Sequence, residues 1–363
     1  MATAAEVDAM RRAIALAREA RGHTNPNPAV GAVVLDAAGT VAGEGRTQPT
    51  GGSHAEVDAL AGAGERARGG VLVVTLEPCR HQGRTGPCTD VIVAAGIARV
   101  VYAIADPHEA AAGGADVLRT QGIDVEGGVL ADDARPDLDP WLLATRRRRP
   151  YVTWKYAATL DGRTAAADGT SRWISGEESR RDVHRLRAQC DAVIVGIGTV
   201  LADDTWLTVR DWPATRQPLR VVVDGKARTP LSARILDRAA PTLIAVGNDA
   251  EPDRIKALRD SGADVVELPR TDGRVDLRAL LATLHDRDAR LLLIEGGARL
   301  AGSFVRERLV DEVVGYIAPA LLGAGPPVLD DAGITTIASA LRLQVRDVTR
   351  LGDDVRVTST VER

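Results

Sequence analysis

Four residues in the first quarter of the chain have the types and order of a catalytic metal site. His54-Ala55-Glu56 is followed by Pro78-Cys79 and then by Pro87-Cys88. One imidazole and two thiolates are three good zinc ligands, and they leave the fourth tetrahedral position open, as catalytic rather than structural sites do. A carboxylate two residues past the His is poorly placed to bind the same ion and well placed to carry protons. Zinc to activate water and Glu to move protons are the equipment of a hydrolytic deaminase. Taken singly, the three ligands would read as a His at a helix start and two small buried hydrophobes. Two of only three Cys in 363 residues, each directly after Pro in one loop, favour the joint reading. The usual zinc-deaminase signature is Cys-x-x-Cys. Eight residues separate Cys79 from Cys88, so that generic pattern fits loosely.

The elements that must position these residues follow from periodicity. Val7, Met10, Ala13, Ile14 and Ala17 recur at helical spacing and predict a first helix. Strands are expected at Val30 to Leu35, Val71 to Leu76, Arg99 to Ala105 and Asp124 to Val129. Helices are expected at Glu56 to Ala67, Cys88 to Ala95 and Ala115 to Thr120. This alternation implies an α/β layer fold. It places His54 and the Cys pair at helix N-termini, where the helix dipole favours thiolate. A break is expected from Arg135-Pro136 to Pro150, with Arg146 to Arg149 as a solvated linker or anion-facing edge. Beyond it a second βα series begins. Its strands are expected at Tyr151 to Ala157, Ala192 to Gly196, Arg220 to Asp224, Thr242 to Val246, Asp264 to Leu268 and Leu291 to Glu295. Helices are expected at Glu177 to Gln189 and Leu277 to His285. The tail, Leu341 to Val345 and Val355 to Val361, reads as an antiparallel pair. Gly196-Ile197-Gly198 hints at a dinucleotide loop, but Leu201 stands where that fingerprint needs a third Gly. Ile294-Glu295-Gly296-Gly297 before an Ala-rich helix is a second candidate phosphate-binding turn.

Composition narrows the function classes. Length suggests two domains or more. Hydrophobic residues make up 45% of the chain and aromatics 3%, so aliphatic side chains must build the cores. A net charge of −4 leaves no nucleic-acid footprint. Three Cys argue against a disulfide framework and for a reducing compartment. Cys190 reads as a buried structural thiol. The N-terminal segment is an amphipathic helix rather than a signal peptide. No apolar run reaches the ~18 residues a membrane span needs, so a cytoplasmic protein is expected.

Longer motifs resemble a known family. Thr75 to Cys88 (TLEPCRHQGRTGPC), Asn25 to Val34 (NPNPAVGAVV), Gly43 to Gly45 and Ala95 to Pro107 (AGIARVVYAIADP) carry the resemblance in the first half. Lys155 to Ala165 (KYAATLDGRTA), Ser171 to Ser175, Val195 to Arg210 (VGIGTVLADDTWLTVR), Glu295 to Gly297 and Tyr316 to Gly323 (YIAPALLG) continue it. In order and over almost the whole chain, they resemble the bifunctional deaminase/reductases of riboflavin biosynthesis. The resemblance implies an α/β architecture: a cytidine-deaminase-like α/β/α domain over 1–146 and a dihydrofolate-reductase-like domain over 150–363. The second would bind NADPH without the Rossmann fingerprint. The implied reactions are hydrolytic deamination of a 2,5-diamino-6-(5-phosphoribosylamino)pyrimidinone and NADPH reduction of the product at ribose C1′. A phosphorylated pyrimidine would be the substrate, and self-association through the reductase domains is implied.

Carried over position by position, the resemblance makes His54, Cys79 and Cys88 the ligands of Zn2+ and Glu56 the proton carrier. It places Asn27, His81 and Arg84 against the deaminase substrate. Lys155, Ser171, Arg187, Asp203, Leu207, Arg210 and Glu295 match substrate contacts of the reductase, with Arg187 and Arg210 apt for phosphate. Lys155 and Asp203 are the candidates for steering protonation around C1′. Ala157, Trp173, Ser175, Thr199, Asp203, Asp224 and the turn Gly297, Ala298, Arg299, Leu300, Ala301, Gly302 and Ser303 match NADPH contacts. Three positions depart from the family pattern: Thr47 for a His, Arg80 for the Ser common after the first Cys, and Thr205 for the Pro common after Asp203-Asp204.

Overall fold

The computed structural model describes residues 1–82, 86–107 and 111–362 and falls into two units, Met1–Arg148 and Arg149 onward. The first unit runs α1 (Ala4–Ala20), β1 (Gly31–Leu35), β2 (Val41–Arg46), α2 (Ala55–Ala63), β3 (Val71–Leu76), α3 (Cys88–Ala94), β4 (Arg99–Ile104), α4 (Gly114–Thr120), β5 (Asp124–Gly127) and α5 (Ala131–Arg147). Its sheet has the order β2-β1-β3-β4-β5, with β1 antiparallel to both neighbours and β3, β4 and β5 parallel. The near-continuous apolar runs of β1 and β3 fit strands covered on both faces. A Cβ on Gly45 would run into the Ala55 carbonyl, so its absence lets the first turn of α2 lie against β2.

The second unit contains β6 (Tyr151–Thr159), α6 (Glu177–Gln189), β7 (Ala192–Gly196), α7 (Ile197–Asp203), β8 (Leu219–Val223), β9 (Thr242–Gly247), α8 (Pro252–Asp260) and β10 (Asp264–Leu268). A two-residue hairpin of β11 (Arg270–Thr271) and β12 (Arg274–Val275) follows, then α9 (Leu277–Asp286), β13 (Leu291–Ile294), α10 (Ala298–Arg306), β14 (Glu312–Ala318), β15 (Leu343–Leu351) and β16 (Asp354–Val361). The nine-stranded order is β10-β9-β8-β7-β13-β6-β14-β16-β15. The first seven strands are parallel, and β16 and β15 close the edge antiparallel. Side chains alternate across this sheet: Ile194 joins one apolar cluster while Val193 and Val195 join the other. Because β13 returns between β6 and β7, strand order switches there, and ligands of such sheets bind at the carboxyl ends around the switch. No helix among the described residues is long and apolar enough to cross a membrane.

Two expectations about the break between the halves need correcting. Residues from Ala131 to Arg147 form one helix, with Pro136 and Pro140 inside it. Interior Pro costs about 3 kcal/mol or more. Tertiary packing offsets that cost, because Ala134, Leu138 and Leu142 are buried on one face. Asp137 also accepts from Arg18 of α1 and from Arg21, the residue that caps that helix. The basic run is not a solvated linker either. Arg146 and Arg147 form the last turn of α5, where cations suit the dipole. Arg149 donates to both oxygens of Asp311 at 2.7 and 2.9 Å, and Asp311 also accepts from Val152 N at 2.9 Å. Strand β14 was not expected, because Gly315 interrupts its apolar run; a Cβ there would meet the Tyr156 ring.

Candidate active sites

The chain reversal before α2 makes His54 the N-cap of that helix and puts Glu56 in its first turn. Cys88 is the first residue of α3, whereas Cys79 lies in the loop after β3 and not, as expected, at a helix N-terminus. His54 Nδ1 lies 3.2 Å from Cys88 Sγ and 3.7 Å from Cys79 Sγ, and all three ligand atoms fall within 4.8 Å of one another. Tetrahedral zinc with ordinary Zn–N and Zn–S bonds requires N···S separations of about 3.5 Å. The observed pair brackets that value, so the donor set, with Nδ1 turned to the thiols, fits the ion. The Cys79 thiol is pushed down to about 4, chiefly by its hydrogen bond with Cys88, whose own proton is held correspondingly tightly. Glu56 is 5% exposed, and burial raises its carboxyl to about 6. A buried acid poised near neutrality can both take and return a proton.

Sequence reasoning assigned no role to Glu77, the residue before Pro78-Cys79. It is buried and accepts from Asp106 N at 3.1 Å, Gly113 N at 3.2 Å and Ala115 N at 3.0 Å. Three amides on one carboxylate fix the start of α4 against the metal loop. A Cβ on Gly114 would overlap the Pro78 carbonyl, one residue from Cys79. Gly114→Ala is therefore expected to displace Cys79 and weaken zinc binding about 10–100-fold, the range seen when ligand-supporting residues are lost. Chelator competition measures this; unchanged affinity would mean the loop yields without moving the thiol.

Asn27 closes a turn with Thr24, whose hydroxyl donates to Asn27 O at 2.9 Å. His81 is half-buried two residues past Cys79. Arg84 lies outside the described residues. Thr47 is buried, and its hydroxyl accepts from Val30 N at 3.1 Å, so the scaffold uses the group that replaces the family's His.

In the second unit the chain gathers a charged cluster where the carboxyl end of β13 lies beside the middle of β6. Arg187 of α6 donates Nε and Nη2 to Glu295 at 2.5 and 2.9 Å and Nη1 to Thr208 O at 3.0 Å. Lys155 Nζ lies 3.6 Å from Glu295. Glu295 is desolvated, yet Arg187 and Lys155 hold its carboxyl down at about 2. Burial pushes the Lys155 ammonium down while Glu295 pulls it up, and burial prevails. Arg187, expected to suit phosphate, is committed to Glu295 and Thr208. Arg210 remains exposed, its guanidinium over the Trp206 ring at 5.2 Å. Leu207 is buried, Ser171 half-buried and Asp203 exposed at the end of α7, its carbonyl accepting from Arg172 Nη2 at 3.0 Å.

Among the expected cofactor positions, Gly297 caps α10 and its N–H donates to Thr199 Oγ1 at 3.3 Å, which brings the β7 and β13 turns together. Ala157 is half-buried on β6, Ser175 O accepts from Arg180 Nη1, and Trp173 is 70% exposed under the Arg180 guanidinium. Ala298, Arg299, Leu300 and Ser303 lie in the first two turns of α10. Ala301 and Gly302 on the same helix are buried, as is Asp224, whose Oδ2 accepts from Thr229 N and Oγ1. Asp224 thus ties the turn after β8 and presents no surface.

Fold and sites together define a two-unit enzyme: a catalytic-type zinc unit followed by a parallel-sheet unit with a charged cluster at its strand switch. Residues 4–104 match the cytidine and deoxycytidylate deaminase zinc-binding region, and residues 150–357 match the RibD C-terminal domain. Riboflavin biosynthesis protein RibD of Mycobacterium tuberculosis is 44% identical over 352 residues, covering 96% of this chain and 95% of that protein. The Escherichia coli K12 protein of that name is 39% identical over 361 residues, covering 95% and 96%. The structure of Acinetobacter baumannii RibD superposes with a TM-score of 0.88 at 38% identity, and the deaminase/reductase of Thermotoga maritima with 0.87 at 33%, each covering 99% of both chains. The chain belongs to the RibD family of riboflavin-biosynthesis proteins, and it is a bifunctional zinc-dependent deaminase and NADPH-dependent reductase.

Proposed function

We propose that His54 Nδ1, Cys79 and Cys88 hold the zinc and that Glu56 carries the protons of deamination. When bound, zinc supplies a Lewis acid that brings the pKa of coordinated water towards ~7. Glu56 takes the proton of the attacking water and returns it to the departing 2-amino group of 2,5-diamino-6-(5-phosphoribosylamino)pyrimidin-4(3H)-one. Asn27 and His81 offer polar contacts to the ring, and Arg84 a cation to the phosphate. The observation that carries this reading is the pair of Nδ1···Sγ separations beside a buried carboxyl.

In the second unit bound NADPH would supply the hydride for reduction of the deaminated product at ribose C1′ to 5-amino-6-(5-phosphoribitylamino)uracil. Lys155, held and oriented by Glu295, and Asp203 steer the accompanying proton. Arg210 rather than Arg187 meets the phosphate, with Ser171 and Leu207 completing the contact. The turn Gly297 to Leu300, with Thr199, Ala157, Trp173 and Ser175, would hold the cofactor. We place the working boundary at Arg148–Arg149, since Arg149 serves the second unit through Asp311. Edge strand β15 exposes Val345 and Val348 and has no strand on its outer side among the described residues, and this is the edge through which the second units would self-associate. Three cysteines outside any disulfide suit a cytoplasmic setting.

Stripping zinc from the full-length enzyme tests the division of labour. Deamination should vanish and return with added zinc, while reduction of the deaminated intermediate stays within about twofold of the holoenzyme. A parallel loss of NADPH-dependent reduction would refute the assignment of the two reactions to separate units.

A further inference from the structure

The segment from Leu207 to Arg210 leaves α7 without regular structure, yet Leu207, Thr208 and Val209 are buried. Leu207 has φ 54°, a left-handed conformation that disfavours a branched L side chain. Such a backbone persists only when its surroundings over-determine it. Here they do so through side chains. Gln217 acts as a substitute strand: its Oε1 accepts from Val209 N at 2.7 Å and its Nε2 donates to Val209 O at 3.0 Å. His184 of α6 accepts from Arg210 N through Nδ1 at 3.2 Å. A backbone N–H can only donate, so the neutral ring carries its proton on Nε2, which faces Asp211 Oδ2 at 3.3 Å. Burial, with Arg187 and Arg210 nearby, pushes the His184 pKa down, keeping Nδ1 free to accept. Arg210 in turn donates to Thr208 Oγ1 at 3.2 Å. Arg210 and Gln217 line one cavity of about 320 Å³ with Trp206 and Asp237.

We infer that His184 and Gln217 are positioning residues for the reductase: they clamp Val209 and Arg210 so that the Arg210 guanidinium is held ready for the substrate phosphate. Neither residue touches the reacting atoms. The inference rests on the reading of Arg210 as the phosphate contact. Without the clamp Leu207 relaxes towards negative φ, the Arg210 side chain is spread over more conformers, and ground-state binding weakens while the hydride step keeps its geometry.

The test is steady-state reductase kinetics of the full-length zinc enzyme carrying His184→Leu, His184→Asn, Gln217→Met or Arg210→Gln. Leu removes the acceptor; Asn restores one near the Nδ1 position; Met removes both bonds to Val209. His184→Leu and Gln217→Met should each raise KM for the phosphorylated substrate about tenfold, with kcat within about threefold and KM for NADPH unchanged. His184→Asn should recover most of the loss, which a packing role alone would not allow. Should His184→Leu fail to fold, Gln217→Met and His184→Asn decide the matter. A substrate KM within about twofold of wild type in Gln217→Met, or an Asn variant more than about fivefold weaker than wild type, overturns the clamp. If Arg210→Gln raises KM and the clamp variants do not, the clamp alone fails. If Arg210→Gln leaves KM unchanged, the phosphate reading fails and takes the clamp with it.

Discussion

Replacing Glu56 with Gln is expected to remove deamination and leave the zinc in place. The side chain keeps its size and its buried position beside the ligands, so the protein should fold and bind one ion per chain. The amide cannot accept the proton of the attacking water or hand one to the leaving amine. General acid–base catalysis of this kind is worth about 10²–10⁴-fold. Here one group serves both transfers, so kcat is expected at or beyond the upper end of that range. Reduction should be unaffected, because Glu56 lies in the first unit. Metal analysis and separate assays of the two reactions check this. Loss of stoichiometric zinc would make Glu56 a ligand rather than a proton carrier, and His54→Ala provides the contrast by losing the metal outright.

Glu295→Gln should be the most damaging change in the second unit. It leaves Lys155 and Arg187 as buried cations without their counter-ion. Removing one partner of a buried ion pair costs about 3–5 kcal/mol, equivalent to roughly 6–20 °C in Tm for a unit of this size. The wild-type pH dependence has the matching sign. The Glu295 carboxyl is held at about 2 against an ordinary 4.5. Its stabilisation is therefore full above pH 4.5 and is lost as the pH falls towards 2, with a magnitude on the order of 3 kcal/mol. The Gln variant should lack this acid-side decline, lose reduction and keep deamination. An unchanged Tm would show that the cluster tolerates two unpaired cations and that the assigned pairing is not what stabilises it.

The zinc site was legible because its residue types are scarce and close in sequence: two of three Cys, each after Pro, and a His-Ala-Glu. The apolar strand runs were legible for the same local reason. What stayed hidden depended on distance or compensation. Pro136 and Pro140 read as a break because the packing of Leu138 and the pairing of Asp137 with Arg18 are invisible in a local window. Arg187, which the resemblance makes apt for phosphate, pairs with Glu295, and nothing in a local window shows a partner 108 residues away. Asp224, matched by the resemblance to a cofactor contact, also accepts from Thr229 in the turn after β8, which no motif announces. Glu77 and Gly114 went unassigned because an acid that holds three amides and a glycine that makes room for a carbonyl leave no periodic trace.

Among the described residues, the first unit has an apolar cluster of its own and the second has three. Mutational load in such a chain is compartmentalised. A core substitution that melts the second unit at growth temperature can leave the first at work, so the deaminated sugar phosphate accumulates rather than the starting pyrimidine. The reverse lesion starves the reductase while leaving it intact. Either defect could be rescued by supplying the missing unit from a second gene, and selection can retune one activity without passing through loss of the other.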